Sequence, residues 1–229
     1  MCELLHFTTA ELTAFSLSLQ VAVICSLLSL PIALPLGYGL ARHSFYGKSV
    51  VESILHLPLV MPPVTTGYLL LLVLGTRGIV GKWLYELFGI RLAFSFSAAV
   101  IASVVVSFPL MVRSVRTAME MVDGKVEQAS ATLGVGRVRT FFLVTIPMAL
   151  PGIISGAILS FARSLGEFGA TITFAGNIQG ETQTLPLAIY TCMQIPGSEG
   201  ATLRLVLVSV LASFIAMILS EMVIKRMRR

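Results

Sequence analysis

Stretches free of Asp, Glu, Lys and Arg recur along this chain, and their lengths set its architecture. Residues 12–41 run for 30 positions, 53–76 for 24, 92–112 for 21 and 140–162 for 23 without a charge. A helix crossing the hydrocarbon of a bilayer needs about 20 residues at roughly 1.5 Å each. Four spans follow directly, at 12–41, 53–76, 92–112 and 141–162. The fourth shifts to 152–172 if its helix starts after Pro151. A fifth run, 205–220, is shorter, and reaches 202–224 when Arg204 and Glu221 carry their charges outward on long side chains. The uncharged run 182–198 holds Thr182, Gln183, Thr184, Gln194 and two prolines, too polar for a lipid-facing helix. It reads as a loop with a short re-entrant or surface helix. The expectation is an all-α polytopic membrane protein of about five transmembrane helices, one domain over 1–229 with its core at about 12–224.

Composition agrees. Apolar residues make up 56% of the chain and charged residues 12%, with a mean hydropathy of +0.92. Soluble domains carry about 45–50% apolar and about 25% charged residues. So few charges could not cover a water-exposed surface.

The net charge of +5 would suggest nucleic acid in a soluble protein. In a membrane protein the distribution of basic residues between loops reports orientation instead. With five spans, eleven basic residues fall on one side: Arg42, Lys48, Arg113, Arg116, Lys125, Arg137, Arg139, Lys225, Arg226, Arg228 and Arg229. The other side has Arg77, Lys82 and Arg91, with Arg163 and Arg204 at span ends. This places the N-terminus outside and the C-terminus in the cytoplasm. The segment before the first span has Glu3 and Glu11 but no Lys or Arg, unlike a secretory signal. Cys2, Cys25 and Cys192 share no CxxC spacing, and His6, His43 and His56 are equally scattered, so no metal site is expected.

Two spans carry candidate chemistry. In the second, Pro58, Pro62 and Pro63 remove backbone donors within six residues and bend the helix. Such a break in lipid needs protein or a wet cavity to satisfy the freed carbonyls. It serves as a packing kink or as a wall of a substrate path, where broken helices occur in transporters. Pro31 and Pro35 in the first span read as plain kinks. In the fourth, Arg163 and Glu167 are four apart on one helix face. A surface pair of this order contributes about 0.2–0.5 kcal/mol. An interior pair would mark a permeation route, the reading preferred here, with Gly166 and Gly169 permitting close packing or a bend.

The loop between the third and fourth spans contains Asp123, able to cap a helix start, and Gly134, able to end one. Between them Val126, Ala129 and Leu133 repeat at i, i+3 and i+7. A helix of about ten residues has little stability alone. It must pack on its own bundle, the membrane surface or a partner protein.

This loop resembles that of inner-membrane permeases of ABC importers, whose pattern there is Glu-Ala-Ala, three residues, Gly, nine residues, then Ile-x-Leu-Pro. Aligned on Gly134, Gln128-Ala129-Ser130 occupies the triplet and Val144-Thr145-Ile146-Pro147 the end. Gln128 replaces the usual Glu, and Glu127 stands one residue earlier. Three further segments, His56 to Val64, Ser107 to Arg113 and Phe161 to Ile172, are similar to the molybdate permeases of bacteria, the last also to sulfate and thiosulfate permeases. The resemblance spans about residues 12–224.

It implies the type I ABC importer permease fold with a cytoplasmic coupling helix, in the bacterial inner membrane. It further implies a homodimer, two cytoplasmic ABC ATPase subunits and a periplasmic molybdate-binding protein as partners, besides membrane lipid, and no nucleic acid. Glu127, Gln128, Ala129, Ser130, Gly134 and Pro147 would couple to the ATPase. Pro62, Pro63, Arg163, Gly166, Glu167 and Gly169 are assigned to the translocation path or gate. No cofactor is expected. The chain is read as a transport subunit without enzymatic activity. Gly47-Lys48-Ser49 imitates the tail of a phosphate-binding loop, but its first glycine would be Arg42, with no strand before it. An intramembrane enzyme would need a paired nucleophile and base or a metal cluster, and neither a Ser, His and Asp grouping nor HExxH occurs. Sulfate, thiosulfate or tungstate is the nearest alternative cargo, and a passive channel a more distant one.

Overall fold

The computed structural model describes residues 7–227, within which every regular element is helical. Cys2, Glu3, His6, Arg228 and Arg229 therefore lie outside the described residues. The first helix, α1 (Thr9–Arg42), opens on a capping box: the Thr8 hydroxyl accepts from the Glu11 amide while Glu11 reaches back to the Thr8 amide. These reciprocal bonds satisfy two amides that a helix start leaves free.

The second apolar run is not one helix. It forms α2 (Lys48–Val60) and α3 (Pro63–Leu74), which meet at a bend of 112°. Neither Pro62 nor Pro63 can donate a backbone hydrogen bond, and the residue before a proline is pushed into extended conformation. Met61 adopts that conformation, with φ −69° and ψ 145°. The short helix α4 (Ile79–Phe88) follows, then α5 (Phe96–Glu120), which continues past 112 with Arg113 and Arg116 on board.

After the loop helix α6 (Gly124–Thr132) and one turn of α7 (Arg137–Thr140), a π-helical turn at Phe141–Thr145 leads into α8 (Ile146–Leu165). Pro147 has no amide for the Leu143 carbonyl, and the wider turn directly precedes it. The fourth span thus begins at Arg137 and ends at Leu165, ruling out one continuous helix over 152–172. A break at Gly166–Phe168 separates it from α9 (Gly169–Phe174). Within the polar run 182–198 lies α10 (Leu185–Met193), and α11 (Glu199–Met227) completes the chain. Among the described residues, four helices are long and apolar enough to cross a bilayer, and the number is five if the bent α2–α3 pair counts as one span.

The core is the packing of α1 and α8 against α5. Small residues bring the backbones together, as interhelical packing in lipid requires. A Cβ on Gly152 would sit 2.4 Å from Ala118 Cβ, one on Gly156 2.8 Å from Ser114 Cβ, and one on Gly37 2.6 Å from Val115 Cγ1. At one end, α3 and α9 close over a cluster containing Val106, Ala170 and Phe174. Elsewhere α10 packs against α1 and α11, where Arg204 pairs with Glu11 at 2.5 Å.

Candidate functional site: the loop helix and the broken span

The loop helix is fixed by its own caps. Asp123 Oδ1 accepts from the Lys125 amide at 2.9 Å. At the other end Gly134 takes φ +80°, and the Val135 amide donates back to the Ser130 carbonyl at 3.1 Å, a Schellman closure. A Cβ on Gly134 would meet nothing within 4 Å. Its requirement for glycine is therefore backbone conformation and not space.

The helix is held to the bundle by its polar side. Glu127 Oε1 accepts from Arg42 Nη2 at 3.0 Å and from the Thr145 hydroxyl at 2.8 Å. Arg42 also donates to the Val122 carbonyl at 2.8 Å. One carboxylate thus joins the end of α1, the end of α5 through Arg42, and the π-turn. Ser130 is buried against Thr140, hydroxyl to hydroxyl at 2.9 Å. The apolar positions point the other way: Val126 and Ala129 are exposed, and Leu133 is 82% exposed. Met121 and Val138, on either side of α6 in the chain, are also exposed, and so is Gln128. Of the sequence-assigned residues, Glu127 and Ser130 hold the helix in place, Gln128 and Ala129 face outward, and Pro147 is exposed beyond the π-turn. Arg42 and Thr145, which complete the anchor, carry no local sequence signal because their partner lies 85 and 18 residues away.

The second group assembles around the break between α8 and α9. Helices α5 and α8 run antiparallel, with Ser160 donating to Ser107 at 3.0 Å and Ser114 to the Gly152 carbonyl at 3.0 Å. Arg163 stands about 4.5 Å beyond Ser160 along α8. The chain continues through α9 before Phe94 N–H bonds to the Phe174 carbonyl at 3.1 Å. Arg163 and Glu167 therefore lie inside the depth of the bundle although they flank a helix end.

Glu167 is 2% exposed, and both its oxygens are occupied. Oε2 pairs with Arg163 Nη1 at 2.9 Å, and Oε1 accepts from the Ala170 amide at 2.9 Å, capping α9. Arg163 remains part-exposed. The neighbouring glycines differ. A Cβ on Gly169 would stand 2.7 Å from Pro63 Cβ, whereas one on Gly166 meets nothing within 4 Å. Gly67 extends this contact, its missing Cβ leaving room for Ala170 and Thr173. Pro63, Glu167 and Gly169 are thus brought together where the two broken spans touch. Pro62 forms the bend next to them, and Gly166 lies in the break without packing on the other span.

An open groove of about 660 Å³ runs between α5 and α8, lined by Arg113, Ser114, Met148, Pro151 and Ser155. Arg113 also borders a polar groove of about 530 Å³ with Glu52, His56, Arg116 and Glu120. There Arg116 pairs with Glu52 and with Glu120, each at 2.7 Å. Among the described residues, no three His, Cys, Asp or Glu side chains meet as metal ligands. Burial, and next the Glu11 carboxylate, push the Cys192 thiol up, with Arg204 opposing.

The family of binding-protein-dependent transport system inner membrane components matches residues 33–229. The molybdenum transport system permease protein ModB of Haemophilus influenzae is 52% identical over 219 residues, 96% of each chain. Its namesake in Escherichia coli is 53% identical over 214 residues, 93% of each. Among solved structures, the methionine ABC transporter MetNI in inward-facing conformations superposes with a TM-score of 0.72 over 94% of this chain and 95% of that one, at 16% identity. A bacterial ABC transporter involved in import of the acidic polysaccharide alginate superposes at 0.75, covering 97% of this chain and 82% of that one, at 14% identity. These two show the fold: that of type I ABC importer permeases.

Proposed function

This chain belongs to the binding-protein-dependent transport system inner membrane components, and from that premise we infer that it is the membrane-spanning permease of an ATP-driven importer of molybdate. The observation carrying the cargo is the identity of 52% with a molybdenum permease, held over 96% of both chains. The chain works as a pair with a second copy, with two cytoplasmic ATPase subunits below and a periplasmic molybdate-binding protein above. Its N-terminus is outside and its C-terminus in the cytoplasm.

The bare apolar stripe Val126, Ala129 and Leu133 supports docking of α6 in a groove of the ATPase. Gln128, exposed on the same helix, supplies the polar contact. Glu127 works inside the permease: through Arg42 and Thr145 it transmits displacement of α6 to α1 and to the base of α8. Those helices swing the gate between inward- and outward-facing states. The gate includes the junction of α3 with α9, where Glu167 and Arg163 lock the break.

Molybdate is a dianion, and its passage through a low-dielectric interior without water or polar donors would be prohibitive. The open groove between α5 and α8 has Arg113 as its single charged lining residue, which offers a modest positive potential without a closed cage. Selectivity therefore rests mainly with the binding protein, and this chain holds the ion weakly.

The test is uptake of labelled molybdate by vesicles containing the permease with its ATPase and binding protein. ATP-dependent accumulation that withstands a large excess of sulfate is expected. Accumulation of sulfate without molybdate would overturn the assignment.

A further inference from the structure

Among the described residues, most of the apolar side of α4 is left uncovered. At about 3.6 residues per turn, Ile79, Trp83, Val80, Leu87, Leu84 and Phe88 fall within one half of its circumference. Lys82, Tyr85, Glu86 and Gly81 occupy the other half. The side resting on the bundle is the Gly81 side: a Cβ there would come 2.0 Å from the Gly75 carbonyl oxygen and 2.3 Å from that of Leu74, at the end of α3. The apolar arc is turned away from this contact. Ile79 is 81% exposed, Trp83 68%, Leu87 64% and Phe88 69%.

We propose that α4 lies along the outer membrane interface, its apolar arc sunk among the acyl chains at headgroup depth and its basic residues on acidic lipid headgroups. Three observations select lipid as the occupant. First, α4 is tied directly to the end of an apolar membrane-span segment, the Lys82 amide donating to Gly78 and the Gly78 amide to Gly75. Second, its large side chains are those that favour a bilayer boundary, a tryptophan and a tyrosine with polar tips on apolar rings. Third, Arg77, Lys82 and Arg91 outnumber the single acid, Glu86, as an anionic surface requires. Arg91 is fixed in place by the Tyr85 hydroxyl at 3.0 Å and by stacking on its ring. The anchor would steady the outer end of α3, the segment that meets α9, whichever ion the permease moves.

Trp83 is the only tryptophan of the chain, so the native protein carries its own probe. The full chain would be placed in nanodiscs of phosphatidylethanolamine and phosphatidylglycerol, which leave both faces open to aqueous quenchers. Lipids bearing a nitroxide near the headgroup should quench Trp83 about twofold or more above lipids bearing it at the acyl terminus, as an interfacial ring requires. Iodide should quench it well below free N-acetyltryptophanamide. Iodide quenching equal to that of the free amide would place the arc in water, as for a soluble partner, and overturn the proposal. Protection from both quenchers would indicate a second copy over the arc, and stronger quenching by the deep label an inserted helix; either result also overturns it. Replacing phosphatidylglycerol by phosphatidylcholine should weaken the shallow quenching, and an unchanged signal would remove the basic residues from the proposal.

Discussion

Glu127 and Gln128 are adjacent in sequence but differ in setting, one bonded to the bundle and the other exposed, and this separates stability from coupling. Glu127 accepts from a guanidinium and a hydroxyl in a part-buried setting. Hydrogen bonds to a charged group contribute about 1.5–3 kcal/mol when one partner is removed. Glu127→Ala should therefore lower the melting temperature of the purified permease as well as its uptake. The swap of Arg42→Glu with Glu127→Arg should recover part of both, and a swap no better than either single change would show that the pair does not interact. Gln128→Ala exposes no buried partner, so its melting temperature should stay put while co-purification of the ATPase falls. A changed melting point with undiminished co-purification would reverse the roles given to the two residues. Sequence could propose Glu127 as part of the coupling loop, because the loop pattern is local. It could not find Arg42, because an ion pair across 85 residues exists only once α1 and α5 have packed.

Among the elements, the breaks matter more than the helices. The bend between α2 and α3 was legible, since two consecutive prolines cannot donate. The break after α8 was legible only in part: Gly166 and Gly169 permitted a bend, but the sequence from Phe168 to Phe174 is as apolar as the helix before it. It is fixed instead by tertiary contact, with Glu167 capping α9 and Gly169 admitting Pro63. Gly152 and Gly156, not singled out in the sequence, mark the face of α8 that meets α5. Gly169→Ala places a methyl against the Pro63 ring, and should depress uptake by several-fold and destabilise the permease by about 1–3 kcal/mol through overpacking. Gly166→Ala meets open space and should leave both nearly unchanged. Equal effects at the two positions in a thermal-melt and uptake comparison would dissociate the α3–α9 junction from the gate. At the loop helix, Gly134→Ala should cost about 1 kcal/mol because φ +80° disfavours a side chain. Gly134→Asn, better suited to that conformation, should be milder. Gly134→Arg should additionally weaken ATPase co-purification. An effect no larger than that of alanine would mean that no partner approaches this end of the helix.

At the scale of the molecule, the proposed five crossings and a loop helix with a bare apolar face fit a permease driven by an external motor. In the proposed topology, five crossings put the two ends of the chain on opposite sides of the bilayer, with the loop between the third and fourth on the side of the C-terminal tail. That side would carry the basic excess, and α6 would face the nucleotide. A thiol probe that cannot cross the membrane should label a cysteine placed at Thr8 from outside intact spheroplasts. It should label one at Thr132 only after permeabilisation; the reverse pattern would invert the topology. Energetics follow from that placement. The sequence offers no Gly-x4-Gly-Lys-Ser/Thr loop, and in the proposed function phosphate-bond energy enters through α6. Vesicles with the permease alone should equilibrate molybdate slowly or not at all, and addition of the ATPase, binding protein and ATP should drive it uphill. Truncating the exposed arc by Val126→Ser with Leu133→Ser should leave the fold intact, since neither residue is buried, but should abolish that uphill phase. Uphill accumulation that survives this double change would place the point of energy entry elsewhere on the cytoplasmic face, with the grooves around Arg113 the next surface to test.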